Sequence, residues 1–196
     1  MDAVLLLLVG YSLGSMPLGY LVASRLKGVD LRRVGSGNVG ATNAYRTAGL
    51  ALALAVVAID VAKGAGSVLI AMRVTTHALA PVTAGMGAVI GHMYPIWLGF
   101  RGGKGVATAC GVFSALAPVA TTAAAIVFVA IVWITRYVSL GSVVATAALP
   151  PLAWVTDAPS TVVAASVLTA LVVILRHRGN LARLRRGTER RLGQQG

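Results

Sequence analysis

One cysteine and five acidic residues are all that 196 positions contain. A single thiol, Cys110, cannot close an internal disulfide or build a multi-cysteine metal site. The carboxylates are dispersed, which excludes a paired-carboxylate site, and no metal-ligating cluster is legible. Charge of either sign is scarce. Only 11% of residues are charged, against about 25% in a soluble domain, so an ordinary soluble domain is excluded. The opening Met1-Asp2-Ala3 lacks the positive region and small-residue cleavage site of a secretory signal. The first apolar segment is therefore expected to be a retained helix.

What fills the chain is apolar: 57% hydrophobic residues and a mean hydropathy of +0.83. In lipid, backbone polar groups must be satisfied within the chain, so only helices and closed barrels span. Barrel strands alternate apolar and polar residues over about ten positions. The runs here are continuous, as in AVLLLLVGYSL and ALALAVVAI, which predicts helices. The expected fold class is all-α, a polytopic integral membrane helical bundle. A net charge of +12 then marks a cytoplasmic edge meeting anionic lipid rather than a nucleic-acid surface.

Apolar segments run over 3–24, 47–72, 78–98, 106–135, 138–155 and 159–175. A crossing takes about 20 apolar residues, so the fourth segment is too long for one, and Pro118 inside it marks a break. Fifteen of the seventeen basic residues fall in four groups, within 25–46, 101–104, 136 and 176–191. The positive-inside rule places all four in the cytoplasm, which requires 106–135 to cross twice. About seven transmembrane helices follow, with the N-terminus outside and the C-terminus cytoplasmic. Residues 106–117 form the shortest crossing, or a half-helix, and Asp2, Arg73 and Asp157 lie outside. Residues 1–196 are expected to form one transmembrane domain without internal repeats, with a basic cytoplasmic tail at 177–196.

This topology gathers the unusual polar stretches on one face: GSGNVGATNAYR (35–46), RGGKGVAT (101–108), RYVSLGS (136–142) and HRGNLARLRRGTE (177–189). In the first, glycines allow close backbone approach and consecutive amides form an anion-binding concavity. A helix beginning near Asn43 would aim its positive end there. Arg46 adds a planar fork suited to phosphate. A plain glycine-rich turn with a lipid-facing arginine accounts for the same letters. Asn38 and Asn43 suit either ligand binding or capping of the next helix. The second stretch resembles a phosphate loop, but Gly105 follows Lys104 where a nucleotide loop needs Ser or Thr. A nucleotide motor is thereby excluded, and an interfacial lysine on a flexible turn stands beside anion binding.

Ser139 and Ser142 are three apart and share a helical face, although serines in membrane helices commonly bond back to their own backbone. His177 and Asn180 repeat that spacing, followed by Arg183 and Glu189. Asp60 and Lys63, one turn apart in mid-segment, must be paired in lipid and read as a structural ion pair. His92 reads as a hydrogen-bonded structural residue or as part of the Lys104 site. Gly10 and Gly14 read as close-packing positions, and Cys110 as a small packing residue. The cytoplasmic edge offers Arg46, Lys104, amides, hydroxyls, His177 and Asn180. That donor set suits a phosphate-bearing ligand to be transported, bound or altered.

In order and over nearly the whole chain, GSGNVGATNAYR, DVAKG at 60–64, GHMYPIWLGFRGGKGVAT at 91–108 and HRGNLARLRRGTE resemble the bacterial acyl-phosphate:glycerol-3-phosphate acyltransferase family, the PlsY family. Gly179 departs from the family pattern, where a bulkier, often acidic residue is common. The resemblance implies a seven-helix inner-membrane enzyme whose active site faces the cytoplasm. It implies transfer of a fatty acyl group from acyl phosphate to the 1-hydroxyl of sn-glycerol 3-phosphate. The products are lysophosphatidic acid and inorganic phosphate, in the first acylation of phospholipid biosynthesis. The His-x4-Asp motif of soluble-domain acyltransferases is absent, and acyl-CoA and acyl carrier protein are not the implied direct donors. The implied partners are fatty acyl phosphate, sn-glycerol 3-phosphate and membrane lipids, with no nucleic acid, cofactor or metal.

Under this resemblance Ser36, Arg46, Lys104, His177 and Asn180 are the expected catalytic residues, holding the phosphate of glycerol 3-phosphate. Gly37, Asn38, Gly40, Gly102, Gly103 and Thr108 are expected to cradle the acyl-phosphate head. Asn43, His92, Gly105, Ser139 and Ser142 are further substrate-binding candidates. An acyl phosphate is an activated mixed anhydride, so positioning and charge stabilisation suffice without a covalent nucleophile. The acyl chain would lie along the helices, and the hydroxyl proton passes to His177 or to the substrate's own phosphate. A phosphate-ester transporter also suits basic loops on one face. It would carry inverted repeats and midplane polar residues, and little beyond Asp60 and Lys63 answers to that. A non-enzymatic lipid-binding subunit would not need four distinct polar loops.

Overall fold

The computed structural model describes residues 3–194, so Asp2, expected outside, lies beyond the described residues. Among these the regular structure is helical, with one 3-10 turn at Ile96–Leu98 and no strand. The helices are α1 (Ala3–Ser15), α2 (Leu18–Lys27), α3 (Ala41–Ala48), α4 (Leu50–Val74), α5 (Ala80–Met93), α6 (Val106–Leu116), α7 (Pro118–Thr135), α8 (Val138–Val155), α9 (Ser160–Arg176) and α10 (Arg178–Arg185). Two compact units divide the chain, one ending at Val112 and the other running Phe113–Gln194.

Prolines set several boundaries, because a proline has no amide to continue the ladder. Pro17 splits the expected single helix at 3–24 into α1 and α2. Pro95 follows the end of α5, and Pro118 opens α7 at the expected break. By length and composition, four stretches suffice to cross a membrane: Ala3–Lys27, Leu50–Val74, Pro118–Thr135 and Val138–Val155. Ser160–Arg176 with Arg178–Arg185, bent by 58°, makes a fifth. α5 and α6 are shorter, rising about 21 Å and 16 Å at 1.5 Å per residue. The apolar residues that remain exposed, such as Ile126, Val129, Trp133 and Ile134 on α7, form surface suited to lipid.

In the first unit, α1 and α5 interlock through reciprocal glycines. A Cβ on Gly10 or Gly14 would overlap the backbone of Ala84 or Ala88. A Cβ on Gly87 or Gly91 would overlap that of Leu7 or Tyr11. Lipid supplies no hydrophobic drive between helices, so close van der Waals approach carries the association. Gly64 and Gly111 join α4 to α6 in the same way, against Thr108 and Val61. A buried cluster of Ala23, Leu31, Ala44, Leu52 and Val56 fixes α2, α3 and α4 and anchors the loop before α3. In the second unit Gly141 of α8 packs on Phe128 and Val132 of α7.

Candidate active site

The stretch 30–40 is a tightly bonded loop. Leu31 is fully buried and pins it to the core. Asp30 pairs with Arg32 at 2.8 Å, and this hydrogen-bonded guanidinium lowers the Asp30 carboxyl to about 2. Arg32 also lies 4.7 Å over the Tyr20 ring, tying the loop to α2. From α3, the buried Asn43 reaches back. Its oxygen accepts from the Ser36 amide at 2.8 Å, and its nitrogen donates to the carbonyls of Leu31 at 2.9 Å and Val34 at 3.1 Å. The Gly37 amide donates to Val34, and the Gly40 amide to Asn38 Oδ1 at 2.9 Å.

The amides of Ser36, Gly37 and Gly40 are bonded inside the loop. Of the two expectations for Asn43, capping of α3 is corrected. α3 begins at Ala41 after Gly40, without a side-chain cap, and the Asn43 amide is spent on the chain itself. The exposed Ser36 and the half-buried Arg46 remain as side-chain donors.

The second glycine stretch wraps the C-terminal end of α5. Gly102 and Gly103 donate their amides to the carbonyls of Met93 at 3.2 Å and His92 at 3.1 Å. A helix end leaves such carbonyls unpaired, and these amides satisfy two of them. Glycine is required for contact: a Cβ at 103 would overlap the His92 ring, and one at 102 the His92 carbonyl. Gly105 adopts φ 84° with Met93 in the place of a Cβ. Asn38 Nδ2 donates to the Gly102 carbonyl at 3.4 Å, joining the first motif to the second. Lys104, half-buried, follows as the basic side chain of this loop. Thr108 is fully buried, and its hydroxyl finds no partner among the described residues.

Beneath the loop lie Asp60 and Lys63 of α4. Lys63 Nζ is 2.9 Å from Asp60 Oδ1, and both side chains are buried. His92 joins them from α5, its Nδ1 being 2.8 Å from Lys63 Nζ and 3.4 Å from Asp60 Oδ1. The ion pair is thus one part of a network that links two helices to the glycine loop.

The second unit holds a separate polar cluster. The buried Glu189 accepts from Asn180 Nδ2 at 2.6 Å, Arg183 Nε at 2.7 Å and Ser139 Oγ at 2.8 Å. Burial pushes this carboxyl up, but the bonds from Asn180, Ser139 and Arg183 outweigh it and hold the group below its ordinary range. His177 is buried, with Nδ1 2.8 Å from the Val173 carbonyl. That bond makes Nδ1 the donor and gives the neutral ring its lone pair at Nε2. Ser142 bonds back to the Val138 carbonyl at 2.9 Å, whereas Ser139 uses its hydroxyl on Glu189. The stretch from Arg178 to Glu189 is therefore folded onto the helices of this unit. α10 carries Asn180, and the following turn returns Glu189 to α8.

Within the first unit the structure brings together Asn38 with Gly102, and His92 with both Gly103 and the Asp60–Lys63 pair. Within the second it joins Ser139 to Asn180 through Glu189, a residue not chosen from sequence. The signal was present, since Glu189 is the lone acid among the seven arginines of 176–191.

The sequence matches the family model described as Glycerol-3-phosphate acyltransferase over residues 4–187. A glycerol-3-phosphate acyltransferase of Synechococcus sp. (strain CC9902) is 47% identical over 196 residues, covering 100% of this chain and 98% of that one. One from Geobacter sulfurreducens is 44% identical, covering 97% and 98%. The fold matches the crystal structure of PlsY (YgiH), an integral membrane glycerol 3-phosphate acyltransferase, in its glycerol 3-phosphate form. That match has a TM-score of 0.92 at 41% identity, over 98% of this chain and 96% of the other. The lysophosphatidic acid form matches at a TM-score of 0.90 and 39% identity, with the same coverage. A chain-long match in sequence and in helical architecture leaves one assignment: this chain is an integral membrane protein that belongs to the PlsY family of glycerol-3-phosphate acyltransferases.

Proposed function

We propose that the protein transfers a fatty acyl group from acyl phosphate to the 1-hydroxyl of sn-glycerol 3-phosphate, the first acylation of phospholipid biosynthesis. The hydroxyl oxygen bonds to the acyl carbonyl carbon, and the bond from that carbon to the phosphate oxygen breaks. Inorganic phosphate leaves with the electron pair, and lysophosphatidic acid remains. The observation that carries this reading is the chain-long match to this family in sequence and fold; Arg46, Lys104, Ser36, His177 and Asn180 are the side chains proposed to meet phosphate. The related PlsY crystals, in glycerol 3-phosphate and lysophosphatidic acid forms, support the acceptor and the product.

Because the loop amides are engaged within the chain, side chains carry the phosphate contacts in this reading. A guanidinium and an ammonium stabilise charge as it develops on the phosphates. The hydroxyl proton has two acceptors, His177 Nε2 and the acceptor substrate's own phosphate. The enzyme is placed in the bacterial inner membrane with seven crossings, as one transmembrane domain whose residues 177–196 and active site face the cytoplasm. The acyl chain lies along the helices in the bilayer. A donor comparison on purified protein tests this. Synthetic acyl phosphate is expected to support lysophosphatidic acid formation, and acyl-CoA and acyl carrier protein are not. Equal rates with acyl-CoA would overturn the donor assignment.

A further inference from the structure

One side chain connects the buried ion pair to the basic loop. Lys63 is an ammonium and can only donate, so its 2.8 Å approach makes His92 Nδ1 an acceptor. A neutral ring bonded in this way carries its proton on Nε2. Nε2 is also the atom against which Gly103 sits, since a Cβ at 103 would overlap it. The carbonyl of the same histidine holds the Gly103 amide at 3.1 Å. His92 thus grips Gly103 from two sides, one residue before Lys104.

A cavity of about 20 Å³ adjoins the network, with Ser15, Tyr20, Asp60, Lys63 and His92 in its wall. That volume suits a single water, which needs about 10–15 Å³. The chemistry suits it as well. Lys63 has a third N–H beyond its bonds to Asp60 and His92, and Asp60 Oδ2 takes no partner among the described residues.

We propose that Asp60, Lys63 and His92 form a positioning set for the glycine loop. Lys63, held by Asp60, locks the Nε2–H form of His92, and His92 fixes Gly103 and with it Lys104 as a phosphate donor. None of the three touches substrate; they act through the loop. The inference rests on the proposed function only for which phosphate ester Lys104 meets.

The test uses the purified full-length protein. The double variant Asp60→Leu with Lys63→Met replaces a buried ion pair by apolar side chains, a change folds often tolerate. Thermal unfolding checks that it folds. Ring ¹⁵N NMR of the wild type, with His92 assigned through His92→Gln, is expected to show a protonated Nε2 and a bare Nδ1. The folded double variant is expected to lose that tautomer preference and to bind glycerol 3-phosphate about tenfold or more weakly, since a small misplacement of a positioned group is costly. His92→Gln, which returns a donor near Nε2, should recover most of the affinity lost in His92→Ala. A wild-type ring protonated at Nδ1 would overturn the inference. So would a folded double variant that binds as tightly as the wild type. Binding is read by calorimetry, apart from turnover. Intact binding without lysophosphatidic acid formation overturns only the proposed function. A folded wild type that binds neither inorganic phosphate nor glycerol 3-phosphate overturns both.

Discussion

The side-chain oxygen of Asn43 accepts the Ser36 backbone amide at 2.8 Å across seven residues. With its two donor bonds to Leu31 and Val34, this amide makes the loop before α3 a fixed object. Ser36 is consequently presented from a rigid turn. Asn43→Ala strips the Ser36 amide and the Leu31 carbonyl of these partners and leaves the Val34 carbonyl with the Gly37 amide alone. Each such group costs about 1–3 kcal/mol when buried, so destabilisation of at least about 2 kcal/mol is expected. Asn43→Asp keeps the acceptor and loses both donors, so its loss should be intermediate. Thermal unfolding in detergent ranks the three proteins, and equal stability of Asn43→Ala and wild type would contradict the clamp.

Glu189 gives a pH dependence. Its folded pKa lies below the ordinary 4.5. A depressed carboxyl stabilises the fold fully above its unfolded value, and the contribution declines as pH falls from about 4.5 toward the folded value. The stability gap between wild type and Glu189→Gln should therefore be constant above pH 6 and shrink below about 4.5. A gap independent of pH would sink this reading.

The glycine interlock predicts opposite outcomes at two glycines. At Gly14 a side chain meets the backbone of Ala88, whereas at Gly66 nothing lies within reach of a Cβ. Gly14→Val should lose about 1–3 kcal/mol or more through overpacking. Gly66→Ala should be neutral or gain up to about 1 kcal/mol from helix propensity. Chemical unfolding of the two variants decides it, and the reverse order would refute the packing account.

Removing the proposed charge donor should act on turnover. Arg46→Ala is expected to lower kcat by about 10²–10³-fold, the loss typical of one transition-state donor. His177→Ala separates the two proton acceptors. Near-wild-type turnover at saturating substrate would exclude the ring as the required base and leave the proton to the substrate phosphate. Steady-state kinetics with acyl phosphate reads both.

The helical class was legible because continuous apolar runs leave lipid no other choice, and Pro118 announced the break before α7. Pro17 carried the same signal, but the apolar run on both sides masked it. The α1 half of the interlock was readable as Gly10 and Gly14. The α5 half, Gly87 and Gly91, has the same spacing and went unread because the interlock is a property of two helices together. The loop glycines looked like ligand contacts because sequence shows conformational freedom but not where an amide points. In the fold the N–H groups of Gly102 and Gly103 meet carbonyls of α5, that of Gly37 meets the Val34 carbonyl, and that of Gly40 meets the Asn38 side chain. The same limit hid His92 as the third member of the Asp60–Lys63 network, 29 residues from Lys63. It also hid Glu189, whose partners Asn180 and Ser139 come from two different helices.

The central claim meets its most direct test in vesicles. Purified protein reconstituted in lipid, given labelled glycerol 3-phosphate and synthetic acyl phosphate, is expected to form labelled lysophosphatidic acid and one equivalent of inorganic phosphate. Label that crosses the membrane as unchanged glycerol 3-phosphate, with no lysophosphatidic acid formed, would contradict it.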